Sequence, residues 1–404
     1  MREMKDSGVA WLGDIDSRFD IKAIGNLFTI KKDIIGREPD QVLSITQRGI
    51  KIKDTTSNEG QNAASYAHYQ IVNVGDFAMN HMDLLTGWVD ISRYEGVTSP
   101  DYRVFTLTDN TQIPEYFLRV FQMYYSNRVF YAFGQGAANL GRWRLPRENF
   151  VKIAIPCPPV ELQRKIVDEI ATKVSKVDAL IANQQAQIEK LKQYKQSLIT
   201  EVVTKGLNPD SPMKDSGNDY LGQIPAHWKA IKIKYLCSMQ AGRNLISEQI
   251  SDSGDYPVYG GNGLRGYFTE PNYIGECLLV GRQGALCGNV HHVSGEFWAT
   301  EHAVITEPKE GVSIRYLFYL LTGMNLNLYV SPTAAQPGLS VSTVQNVISC
   351  LAPVDEQEQI VKLLDDKIRM IESLLQIKEK KIESLTNYKK SVIYEYVTGK
   401  KEVV

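Results

Sequence analysis

The apolar positions of this chain fall into two rhythms, and the longer one occurs twice. Over Ile170, Val174, Val177, Ile181, Gln184, Ile188, Leu191, Lys195, Leu198 and Val202 the spacing alternates between four and three. The spacing returns at Leu364, Ile368, Ile371, Leu375, Lys378, Ile382, Leu385, Lys389, Val392 and Tyr396, with the polar breaks in the same places. A sustained heptad seam predicts a long helix that packs on another helix. Pro159 and Pro353 mark the starts, and Gly206 and Gly399 sit just past the ends. At ~1.5 Å per residue, about 45 residues make a rod of ~65 Å. Such a stripe needs a cover, and the second copy is the obvious partner. Packing of each helix on its own globular block is the alternative.

The rest of the chain alternates at shorter range. In block one, about 16–158, Val42-Leu43-Ser44-Ile45, Tyr69-Gln70-Ile71-Val72 and Tyr102-Arg103-Val104-Phe105-Thr106-Leu107 read as strands. A helix opened by Pro114 follows, with Tyr116, Phe117, Val120, Phe121 and Tyr124 on one face. In block two, about 225–352, Cys277-Leu278-Leu279-Val280, Asn289-Val290-His291-His292-Val293 and Ala303-Val304-Ile305-Thr306 are the strands. Its helix begins near Ser313, with Leu317, Leu320 and Leu321 inward. Each helix leads to a small-residue loop, 136–140 or 333–339, and then to an apolar stretch.

These parts are duplicated. Residues 159–204 recur at 353–398 without a gap, with 17 of 46 positions identical, including Gln163/Gln357 and Tyr194-Lys195/Tyr388-Lys389. Met4-Lys5-Asp6-Ser7-Gly8 recurs as Met213-Lys214-Asp215-Ser216-Gly217. The order is short repeat, variable block, long repeat, then all three again. A period near 200 residues is a duplicated domain rather than a solenoid unit. The pattern predicts an α+β chain: two similar mixed blocks joined by two long helices that pair with each other in an intramolecular coiled coil, the circular order of repeats making a pseudo-two-fold axis. The expected divisions are 1–158, 159–205, 206–352 and 353–404.

The 404 residues leave room for two to four units, and 43% hydrophobic with 23% charged residues is ordinary globular composition. No apolar run approaches the ~20 residues of a membrane span, and the start has no apolar signal core. Five scattered cysteines without CxxC point to a reducing cytoplasm, not a disulfide frame or a zinc site. The net charge of −1 announces no polyanion binder. Local balance differs: residues 1–158 hold 18 basic and 18 acidic residues, and 206–358 hold 9 and 15.

Catalytic patterns are weak. Gly261-Asn262-Gly263-Leu264-Arg265-Gly266 matches GxGxxG, but Tyr267-Phe268-Thr269-Glu270-Pro271 follows where a helix is needed, so a turn between strands is preferred. His291-His292 with Glu301 and His302 suggests metal ligands, but neighbours on a strand face opposite ways. No methyltransferase Asn-Pro-Pro-aromatic segment, phosphate loop or nucleophile elbow is present. Recognition is expected instead of catalysis, with no metal and no cofactor in this chain.

Arg, Lys, Gln and Asn on glycine-bordered loops are groups that grip phosphates and read base edges. Solvated loop residues are the bland alternative. In block one the candidates are Gln47, Arg48, Lys51, Lys53, Asn80, Asp83, Asn139, Arg142 and Arg144. In block two they are Arg243, Asn262, Arg265, Arg282, Gln283, His302 and Gln336. Lys51 and Lys53 alternate like a strand edge and are expected near phosphate. Arg265, Arg282 and Gln283 are expected at bases.

Several segments resemble type I restriction–modification specificity subunits of the HsdS kind. They are the openings Pro159-Val160-Glu161-Leu162-Gln163 and Pro353-Val354-Asp355-Glu356-Gln357, and the closing Tyr-Lys-x-Ser-[Leu/Val]-Ile-x-Glu-x-Val-Thr of each long repeat. Tyr256-Pro257-Val258-Tyr259-Gly260-Gly261, Gly281-Arg282-Gln283-Gly284 and Ala299-Thr300-Glu301-His302-Ala303 are similar to one type of target recognition domain, and Asn80-His81-Met82-Asp83 resembles another. The resemblance spans essentially the whole chain. It implies that each block reads half of a split, asymmetric target in double-stranded DNA and that the two long helices lie antiparallel and fix the spacing and orientation of the blocks. It implies two docked methyltransferase subunits carrying S-adenosylmethionine, and restriction subunits using ATP and Mg for translocation and cleavage. A coiled-coil scaffold whose blocks bind protein or glycan is the competing expectation.

Overall fold

The computed structural model describes residues 3–56, 62–136, 143–284, 287–329 and 338–403. The chain folds as two units, Met1–Gln184 with Lys380–Val404, and Gln185–Glu379. Each unit holds a hairpin from the short repeat, a mixed block, the start of one long helix and the end of the other.

The long helices run over Val160–Lys205 and Val354–Val397, each starting one residue after its proline. In the first unit Lys389 Nζ reaches Asp178 at 2.7 Å, and the Tyr396 hydroxyl donates to Glu169 at 3.3 Å. In the second, Lys195 Nζ reaches Glu372 at 2.8 Å and Lys378 bonds Gln187. As one number rises its partner falls, so the helices pair antiparallel in each unit. Lys195 and Lys389 are a matched polar break of the two seams, and each finds a carboxylate at equivalent positions, Glu372 and Asp178. Such exposed pairs contribute ~0.2–1 kcal/mol and mainly set register. The apolar seam supplies the burial: Ile170, Val174, Val392 and Tyr396 in the first unit, Val202, Leu364 and Ile368 in the second.

The short repeat is a β-hairpin. Met4–Asp6 pairs Asp14–Asp16, and Met213–Asp215 pairs Gln223–Pro225. The repeated Asp-Ser-Gly is its turn chemistry. Asp6 accepts the Gly8 N–H and Ser7 the Val9 N–H; Asp215 and Ser216 do the same for Gly217 and Asn218. Each hairpin abuts the end of a long helix at a left-handed glycine. At Gly399 (φ +67°) a Cβ would lie 2.8 Å from Asp16, and at Gly206 (φ +74°) 3.2 Å from Trp228. Each unit therefore closes only when the hairpin of one copy meets the helix end of the other, which explains the circular order of the repeats.

The blocks share a plan and differ in their sheets. In the first unit Phe28–Lys31, Arg103–Leu107, Phe77–Met79 and Val89–Ile91 form a four-stranded antiparallel sheet in that order. The helix Pro114–Ser126 buries Phe117, Val120 and Phe121 among Phe28, Phe77 and Phe105. In the second unit six strands run Cys237–Ala241, Ala303–Pro308, Tyr273–Gly281, Val290–Ala299, Tyr256–Gly260 and Gly263–Phe268. The helix Ile314–Gly323 follows, with Leu317, Leu320 and Leu321 buried as expected. The last apolar stretch of each block is a strand, Ala154–Cys157 or Ile348–Leu351, paired with Asp20–Ala23 or Lys229–Lys232.

The repeated glutamine joins these parts. Gln163 is fully buried; its Oε1 accepts the Ile113 N–H just before the Pro114 helix, and its Nε2 donates to Pro158 O and Gln112 Oε1. Gln357 likewise accepts the Ser313 N–H and donates to Gly311 O and Ala352 O. One amide thus ties the start of each long helix to the start of its block helix.

Candidate nucleic-acid interface

In the first unit Leu43–Thr46 and Gly49–Ile52 form a hairpin with Gln47 and Arg48 exposed at its tip. Thr46 Oγ1 accepts the Arg48 N–H at 3.1 Å and donates to Gly49 O at 2.9 Å. Asp90 accepts the Ile50 N–H at 3.1 Å and fixes the base of the turn. Gly49 (φ +103°) is required there, because a Cβ would stand 2.6 Å from Asp90 Oδ2. Gln47 donates to Thr86 O at 3.3 Å. Lys51 is exposed on the strand, whereas Lys53 lies beyond its end, its N–H bonded to Val42 O.

Asn80 and Asp83 shape the neighbouring loop. Asn80 accepts the Met82 N–H, and Asp83 accepts those of Leu85 and Thr86. Lys53, Asn80 and Asp83 share a hollow of about 940 Å³ with Tyr69, Tyr102 and Trp143. Arg144 is exposed beside it, its backbone bridged to Gln135. Asn139, Arg142 and Gln336 lie outside the described residues. Sequence reasoning missed His81 and Arg103 beneath this loop. Arg103 is buried over the Phe150 ring and donates to Leu145 O at 2.9 Å. Burial, with Arg103 nearby, pulls His81 down to about 3.

In the second unit separate loops converge at one end of the sheet. Gly261 and Asn262 make the turn between Tyr256–Gly260 and Gly263–Phe268, so the GxGxxG segment joins two strands as expected. At Gly261 a Cβ would lie 2.9 Å from His302 O and 3.7 Å from the Arg282 N. The Arg282 N–H donates to His302 O at 3.0 Å, and the Leu339 N–H donates to Arg282 O at 2.8 Å. Arg243 N–H bonds Ala299 O, and Thr300 N–H bonds Tyr259 O. Arg243, Asn262, Arg282 and His302 are thereby held on connected loops, with exposed Gln283 bridged to Gly338. Arg265 leans back over Gly260, where a Cβ would meet its Cδ at 2.6 Å. Among the described residues Arg282 Nε, Thr300 Oγ1 and Glu301 Oε2 are buried without a hydrogen-bond partner. Thr300 and Glu301 are not among the DNA-contact candidates, although the segment 299–303 carries part of the resemblance and Glu301 stands in the suggested metal-ligand set.

The histidine pair takes different neighbours. His292 bonds Glu276 at 2.7 Å, and His291 lies beside Gly263. The five cysteines are reduced and buried, and burial pushes Cys237 and Cys350 up to about 12 and Cys277 to about 11, far from a reactive thiolate. No helix among the described residues is long and apolar enough to cross a membrane.

Residues 225–386 match the type I restriction modification DNA specificity domain. The chain is 45% identical over 134 residues to the specificity subunit of the type I restriction enzyme EcoprrI of Escherichia coli, covering 32% of this chain and 33% of that one. It is 31% identical over 108 residues to the MjaVIII specificity subunit of Methanocaldococcus jannaschii, covering 27% and 24%. The matches thus span a third or less of these relatives. A solved structure concerning complex assembly and conformational transition of the type I R-M system shares the fold: TM-score 0.68 at 13% identity, over 96% of this chain and 99% of that one.

Proposed function

We propose that this chain is the DNA-specificity subunit of a type I restriction–modification complex. Each unit reads one half of a bipartite, asymmetric site in double-stranded DNA, and the blocks divide as 1–158 and 206–352. The convergence of Arg243, Asn262, Arg282 and His302 within the matched specificity domain carries this reading. Those groups donate and accept on short loops fixed by backbone hydrogen bonds, as base-edge readout requires. Lys51 and Lys53 serve the phosphates of the other half-site. Asn80 and Asp83 hold loop shape there. The chain itself is non-catalytic: two methyltransferase subunits docking on the helices bring S-adenosylmethionine, and restriction subunits bring ATP and Mg. The complex works in the cytoplasm.

The test is exchange of residues 225–352 for the corresponding block of a relative, followed by mapping of methylated sites in cells. One half of the target is expected to change while the other half and the spacer persist. A change in both halves, or none, overturns the division of labour.

A further inference from the structure

The end of the second long helix meets the Gln47–Arg48 hairpin tip in the first unit. Two adjoining hollows of about 400 and 370 Å³ share Gln47, Trp88, Ser126 and Lys390. Arg48, Arg119, Arg128, Lys389 and Lys390 line them, against one carboxylate, Asp90. Asp90 is committed to the Ile50 and Ile91 N–H groups, and Lys389 to Asp178. Arg48, Arg128 and Lys390 are exposed, and none has an ion pair among the described residues.

The duplication supplies a control inside the same chain. The equivalent cleft of the second unit, of about 720 Å³, has Lys195, Gln196 and Ile199 where the first has Lys389, Lys390 and Ile393. Its cations Lys195, Arg315 and Arg369 face two carboxylates, Asp365 and Glu372. The fold therefore does not require the excess of positive charge. Arg128 makes the point sharper. It stands two residues past its block helix at φ +57°, and Asn325 holds the same place after the other block helix at φ +48°. Asparagine tolerates the left-handed region; arginine is disfavoured there. An arginine kept where the backbone prefers asparagine points to work done by its side chain.

We infer that Arg48, Arg128 and Lys390 form a phosphate cradle for the DNA backbone, so that the helical scaffold itself grips the duplex beside the first recognition block. The inference rests on the DNA-reading function proposed above. Full-length wild-type chain, Arg128→Asn, Lys390→Gln and the double variant are titrated with labelled duplexes of two unrelated sequences at 50 and 200 mM salt. Arg128→Asn relieves the backbone and is expected to melt no lower than wild type, so weaker binding cannot be misfolding. A phosphate contact steepens the salt slope by about 0.9, which is about 3.5-fold in affinity across this range. The wild-type advantage over the double variant should shrink about tenfold between the two salts, equally on both sequences. Unchanged affinity and slope, with wild type binding duplex, overturns the cradle and leaves the DNA function intact. Loss on one sequence only makes these base contacts and also overturns it. Failure of wild type to bind any duplex overturns the DNA function itself.

Discussion

Replacing Gln163 by leucine removes one buried amide while nearly keeping its volume. Ile113 N–H and Pro158 C=O then lose their partners, at 3.0 and 2.8 Å in the native chain, whereas the Gln112 side chain can turn elsewhere. Each stranded buried backbone group costs about 1–3 kcal/mol, so the change should cost about 2–6 kcal/mol. For a unit of this size that lowers the melting temperature by roughly 4–24 °C, with about 12 °C the central expectation. Gln357→Leu should cost about the same, since Ser313 N–H and Ala352 C=O lose their partners while the C=O of exposed Gly311 can turn to water. Scanning calorimetry gives the melting shifts, and hydrogen exchange at the Ile113 and Ser313 amides reports the local opening. Melting shifts under 2 °C for both variants, or protected Ile113 and Ser313 amides, would refute the idea that these amides clamp helix to block.

Two further changes probe the first block. His81 is neutral when folded, so the unfolded chain takes up its proton first; stability should be flat above pH 6.5 and fall as pH drops toward 3, by about 2–3 kcal/mol at pH 4.5. His81→Gln should remove that part of the acid sensitivity, and an unaltered pH–stability curve would contradict the buried neutral imidazole. Gly49→Ala forces a side chain into φ +103° and against Asp90; it should cost about 1–3 kcal/mol and weaken duplex binding on every sequence, and a variant with native melting and native affinity would count against the fixed turn.

Much of the frame was legible because the frame repeats. The heptad positions fixed both helices to within a residue of their prolines, and Asp-Ser-Gly marked both hairpins through turn chemistry that depends on neighbours in sequence. The block strands and the helix openings at Pro114 and Ser313 also followed from local patterns. The candidate interface was less legible. Arg282 and His302 are twenty residues apart and meet only through a backbone bond formed when two strands pair. That the Asp83 carboxylate accepts two backbone N–H groups of its own loop was likewise not marked in the sequence. Arg128 carried no motif, because a left-handed φ at a helix end leaves no mark in a residue type that usually avoids it.

The same duplication separates what holds the fold from what it reads. Gln163 and Gln357 are identical because both must satisfy a helix start and a chain turn, a demand unaffected by the ligand. Lys195 and Lys389 are identical because each needs a carboxylate across the seam. Elsewhere the copies part: Lys390 against Gln196, Arg128 against Asn325, a four-stranded sheet against a six-stranded one. Divergence at positions whose backbone geometry is shared fits the proposal that one frame carries two surfaces shaped for different half-sites. It follows that exchanging Arg128 and Asn325 between the units should relax the first helix end and strain the second, and that duplex titration should show weaker binding from the loss of Arg128; unchanged affinity would refute the role given to Arg128.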